Sequence, residues 1–185
     1  SAERDLAASC TEIATGHLLP IALERTRATR ARLEKLRSSG AVKSAQARGA
    51  ELESRVEALA LPEEDSPACD AAEAGFALIQ NLVLVEQQMD EIDAGFYQTL
   101  VAEVAAAKDA ANEARSLAES APVEQEAYRA AFELGRRAFD DGDRFEKAVQ
   151  PSDALPAYRE AAKAFSDARR KADDQRTIAS AAEKA

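Results

Sequence analysis

The chain has no tryptophan and a single histidine, His17, so imidazole-based acid-base relays and metal centres have almost nothing to work with. No acid stands three residues before His17, which removes the Glu-x-x-His pairs of a di-iron bundle. Two distant cysteines and one histidine make an equally poor zinc set. Glycine-rich phosphate loops and a Gly-x-Ser-x-Gly elbow are missing. Basic side chains are in deficit, 24 Lys and Arg against 34 Asp and Glu, and a net charge of −10 argues against nucleic acid as the main partner. No run reaches the eighteen or so apolar residues that cross a bilayer, so no membrane-spanning segment is expected. Visible reaction chemistry is therefore lacking, and the expectation is a protein without enzymatic activity, metal or cofactor.

What is present points to helices. Apolar residues make up 46% of the chain while aromatics are 5%, alanine recurs throughout, and the seven Gly and six Pro fall mostly between periodic segments. The clearest period lies in Phe76 to Val104, where Leu78, Leu82, Val85, Met89, Ile92 and Phe96 repeat at alternating steps of four and three. A second row, Phe76, Ile79 and Val83, widens the apolar arc and calls for more than one covering neighbour. The phase survives Asp93-Ala94-Gly95, which favours one long helix from Ala68 to Ser120, bent at most at Gly95.

Ahead of it, Ala2 to Ser38 reads as a helix with a kink or break near His17 to Leu19 imposed by Pro20. Its seam Leu19, Ala22, Thr26, Thr29, Leu33 and Leu36 is mirrored about Ser38-Ser39-Gly40 by Val42, Ala45, Gly49, Leu52, Val56 and Leu59. Leu36 pairs with Val42, Leu33 with Ala45 and so outward to Leu19 with Leu59, at a constant sum of residue numbers, as an antiparallel hairpin requires. The small or polar layers Thr26, Thr29 and Gly49, together with His17 near the kink, form the candidate small-molecule pocket. Leu61 to Pro67 reads as a loop.

Cys10 and Cys69 fall nearly opposite one another if the hairpin symmetry is extended outward. A disulfide would join the starts of the first and third helices and imply an oxidising, periplasmic or otherwise extracytoplasmic setting. The alternative is a pair of buried reduced thiols in a cytoplasmic protein. The chain starts with Ser and ends, Ala179 to Ala185, in uncapped helical sequence, the expectation for a piece of a longer polypeptide.

Beyond Ala121-Pro122 a fourth helix, with Tyr128, Phe132, Gly135 and Phe139 inward, is expected to run to about Asp140. There Asp140-Asp141-Gly142-Asp143 ends or interrupts it; the cluster lacks the alternating ligands of a calcium loop. A last helix capped by Ser152 or Asp153 carries Leu155, Tyr158, Ala162, Phe165 and Ala172 on one side. Leu134-Gly135, Gly142, Tyr158 and Ala161 bear a faint resemblance to a tetratricopeptide helix pair, although one copy makes no array.

The resulting expectation is an all-α, antiparallel helical bundle of about five helices. Its long central helix is shared by an N-terminal subdomain, residues 1–94 with a turn near 39, and a C-terminal subdomain, residues 95–185. Eight basic residues, Arg25, Arg27, Arg30, Arg32, Lys35, Arg37, Lys43 and Arg48, stand against the single acid Glu34 in one segment. They scatter around their helix and are either an ordinary solvated surface or a candidate face for an anionic partner or the protein's own acidic half. Two functions follow: a protein-interaction or scaffolding module with an unidentified protein partner, or a ligand-sensing receptor domain that binds a small molecule between its helices.

Overall fold

A computed structural model describes residues 2–62, 66–121 and 125–182, all-α with no strand among them. The chain divides into two compact units, Ser1–Tyr97 and Gln98–Ala185.

In the first unit, α1 (Ala2–Ile13) passes through a π-helical turn (Ala14–Leu18) directly into α2 (Leu19–Ser39). Pro20 therefore does not break the helix. The Leu19 N–H donates to the Ala14 carbonyl five residues back, and Pro20 falls in the first turn of α2, where a missing N–H is tolerated. Gly40, at φ 85°, caps α2 in the left-handed region and turns the chain. The return arm comes in two pieces, α3 (Ala41–Ser44) and α4 (Ala47–Glu57), because Gln46 takes φ 51° between them. This corrects the single continuous arm expected from the seam. The seam itself holds: Ala22, Thr26, Thr29, Leu33 and Leu36 of α2 are buried, as are Val42, Gly49, Leu52, Val56 and Leu59 on the return.

The third wall is the first part of α5 (Ala68–Glu119), which runs uninterrupted through Gly95. It contributes Leu78, Leu82, Val85, Met89 and Ile92 to the core. Its contacts with the first helical run have nearly constant sequence separations: 61 for Arg25–Glu86, 57 for Thr29–Glu86 and 58 for Arg32–Asp90. A constant difference, where a hairpin shows a constant sum, means that α5 lies parallel to α2. Of the loop Leu61 to Pro67, residues 63–65 lie outside the described residues, as do Pro122 and residues 183–185.

The second unit is built from the rest of α5, α6 (Glu126–Lys147) and α7 (Pro151–Ala182). Val104, Ala111 and Ala118 of α5 meet Tyr128, Ala131, Ala138 and Phe139 of α6 and a row from Ala154 to Ala172 on α7. The many alanines let the helix axes approach closely. Two rings complete the packing: the α-carbon of Gly135 faces the Phe165 ring and that of Gly142 faces the Tyr158 ring, one heptad on along α6 and one heptad back along α7. A β-carbon at either glycine would stand 2.7 Å from the ring opposite. This is why α6 continues through Asp140 to Asp143 against the sequence expectation of an end there: Gly142 is a notch for Tyr158, and tertiary packing overrides its low helix propensity. The last helix begins at Pro151, just ahead of the expected cap.

Candidate functional site

The sulfurs of Cys10 and Cys69 are bonded, with α-carbons 4.9 Å apart. Their separation of 59 belongs to the same parallel register as the α2–α5 contacts, so the bond forms because α5 runs alongside the first helix. Extension of the hairpin symmetry is not the cause, since α4 ends at Glu57. A disulfide of this kind points, weakly, to an oxidising compartment.

The basic segment is largely occupied within the unit. Arg25 pairs with Glu86 through Nη2 and through Nε at 3.3 Å, and the Thr29 hydroxyl donates to the same carboxylate. Arg32 meets Asp90 at 2.6 Å, Arg48 meets Glu91 at 2.5 Å, and Arg37 is held between Glu34 and Glu53 at 2.6 Å each. Arg30 donates to the Leu59 carbonyl at 2.9 Å. Among the described residues, Arg27, Lys35 and Lys43 are left without a carboxylate partner. Arg25, Arg32 and Arg48 find their carboxylates on α5, between 43 and 61 residues away, which a wheel drawn on one helix cannot reveal.

The four candidate pocket residues are dispersed in role. His17 is exposed on the π-helical turn. The buried Thr26 hydroxyl donates to the Ala22 carbonyl at 2.7 Å, and Gly49 is filled by the backbone of Val42. Thr29 serves the Arg25–Glu86 pair. Open notches do occur elsewhere in the unit, one lined by Arg30, Glu34, Arg37, Val56 and Glu57.

The second unit contains a polar cluster that no local pattern in the sequence announces. Lys108 of α5 lies 2.8 Å from Asp143 and 2.7 Å from Glu146, and the buried Tyr158 hydroxyl shares its proton between the same two carboxylates at 2.6 and 2.7 Å. The ammonium also stands over the Tyr158 ring, 5.4 Å from its centre. Burial, then the two carboxylates, push the Tyr158 hydroxyl well above its ordinary value, and hydrogen bonds to Asp143 and Glu146 raise Lys108. Burial alone would push the Asp143 carboxyl up, but hydrogen bonds from Lys108 and Tyr158 outweigh it and hold it low; the same two donors lower Glu146. Carboxylates lowered in the folded state stabilise it above their ordinary range, and that stabilisation is lost as pH falls through the lowered values. The paired variant Asp143→Asn with Glu146→Gln should therefore lose less thermal stability on acidification than the parent. Parallel melting profiles from neutral pH to below the carboxylate range would remove the cluster from any role in acid stability. No group of three or more His, Cys, Asp or Glu able to hold a metal occurs among the described residues.

Large apolar side chains are exposed on both units, Leu117, Leu134, Val149 and Ile178 among them in the second. Two helical runs, Arg4–Ser39 and Ala68–Glu119, contain an 18-residue window of mean hydropathy 1.3, long and apolar enough to cross a membrane by length and composition alone. Neither is a clear span: α5 directs Leu78, Leu82 and Val85 into the core. Other large apolar side chains in these windows point outward. Leu6, Ile13, Ile21, Phe76 and Val83 are each 48% to 63% exposed. The second row of α5 is thus only partly covered, with Ile79 packed on the core while Phe76 and Val83 remain outside.

No family model, curated protein or solved structure matches this chain.

Proposed function

We propose that the protein is a non-enzymatic helical module that recognises a protein partner in an oxidising, extracytoplasmic compartment. One observation carries this reading: the first unit has a complete apolar core, yet it keeps Leu6, Ile13, Ile21, Phe76 and Val83 in solvent. Exposed apolar side chains in such number are a recurrent mark of interaction surfaces. The disulfide supports the compartment. The pKa shifts of Lys108, Asp143, Glu146 and Tyr158 have a structural cause, since these groups are committed to one another across three helices.

The test places a photo-crosslinking amino acid singly at Phe76, at Lys35 on the basic hairpin and at Leu134 on the second unit, and irradiates the protein in extracts of the cells that make it. The expected result is a discrete protein adduct from at least one position. If all three fail, while a thermal-shift screen of amino acids, organic acids and metal salts raises the melting temperature, the ligand-sensing reading takes its place.

A further inference from the structure

Resting on the protein-binding reading, we infer that the groove between the first helical run and the start of α5 takes an amphipathic, basic helix of a partner protein. The groove follows from register. Cys10 and the buried Ala14 mark the side of α1 that meets α5, and Leu6 and Ile13, seven residues apart, flank that contact on one side. Ile21 lies eight residues beyond Ile13, which in an unbroken α-helix would rotate it off the line. The π-helical turn Ala14–Leu18 absorbs the extra residue and returns Ile21 to it. On α5, Phe76 and Val83 are one heptad apart and flank the matching side, next to Gly75, whose backbone lies against Leu18 and Leu19. In the parallel register Ile13, Phe76, Ile21 and Val83 alternate from bank to bank over roughly 11 residues of α5, about 17 Å or about three helical turns, and Leu6 continues the line of the first helix ahead of the start of α5.

The occupant is specified by charge. Asp5, Glu12 and Glu24 on one bank and Asp70 and Glu73 on the other are exposed, and none has an ion-pair partner among the described residues. This contrasts with Glu86, Asp90 and Glu91 further along α5, each of which holds an arginine. By helical register Arg4 projects away from the groove. An apolar floor with unneutralised acidic banks fits a helix that carries apolar residues at i, i+3, i+4 and i+7 and Lys or Arg along its flanks.

The probe is a fluorescein-labelled 18-residue helical peptide with leucine at the a and d positions of its heptads, lysine at e and g, and alanine elsewhere. A counterpart carries glutamate in place of lysine, and binding to the full-length oxidised chain is read by anisotropy. The lysine peptide should saturate, weaken as salt is raised, and bind at least about tenfold more tightly than the glutamate peptide. Phe76→Ser and Ile21→Ser should each weaken it at least about tenfold without changing the melting temperature, while Leu134→Ser should have no effect. Absence of saturable binding, equal affinity for the two peptides, or indifference to the groove substitutions overturns the inference. Sedimentation showing a dimer that Phe76→Ser disperses would give the groove to a second copy. Pelleting with phosphatidylcholine–phosphatidylglycerol vesicles, lost in the same variant, would give it to a membrane; both results overturn the inference. Failure of the peptide with an adduct still formed from Lys35 or Leu134 rejects this surface and keeps the protein-binding reading, whereas failure of all three crosslinks rejects the reading itself.

Discussion

Replacing both cysteines, Cys10→Ser with Cys69→Ser, is expected to lower the stability of the first unit by roughly 4 kcal/mol, the chain-entropy value for a closed loop of this size. The bond spans a sequence separation of 59, and without it the unfolded chain regains the freedom that the loop removed. The loss should also be uneven. Of α1 residues 4–13, Cys10 is the least exposed, so the bond is the main tether of that helix. Hydrogen exchange should accelerate most across α1 and least at Leu82 and Met89, which are fully buried. Equal denaturation midpoints for the oxidised parent and the double serine variant would show that α1 is held by something other than the sulfurs.

Gly49→Ala should cost the first unit about 3 kcal/mol, the upper range for overpacking. A β-carbon there would stand 2.1 Å from the Val42 carbonyl oxygen and 2.9 Å from its carbon. Both are backbone atoms, so no rotamer change relieves the clash, and the bend at Gln46 that brings α3 against α4 would have to open. Gly95→Ala provides the control. A methyl there meets nothing within 4 Å, and the gain in helix propensity should stabilise by about 1 kcal/mol. Urea denaturation of the two variants beside the parent should therefore move the midpoint in opposite directions. A neutral Gly49→Ala would mean that the hairpin is looser than its buried seam implies.

The core was legible in the sequence because burial and helical period coincide: the positions from Leu78 to Ile92 repeat on one face and are buried on one face. The hairpin was legible for the same reason. Features that depend on two distant elements were not. Gly49 reads as a small layer opposite Thr29, and only the break at Gln46 turns it toward Val42. Hairpin symmetry brings Cys10 and Cys69 opposite one another, but the cause of the disulfide is the parallel return of α5, which no local pattern announces. Asp140 to Asp143 has the composition of a helix end, and its fate is decided by the Tyr158 ring and hydroxyl. The arginines looked unneutralised because their carboxylates lie across the bundle. The groove is not legible in the sequence because Ile21 falls out of phase with Leu6 and Ile13 unless the wide turn between them is known.

That turn also has a bearing on oxidation. If the same five residues wound as plain α-helix, everything ahead of them would rotate by about 100° around the helix axis. Cys10 would then swing away from Cys69, and Leu6 and Ile13 would leave the line of Ile21 in the same movement. The five residues Ala14–Leu18 therefore work as a phase spacer. They synchronise the covalent clasp with the apolar line, so that forming the one certifies the alignment of the other.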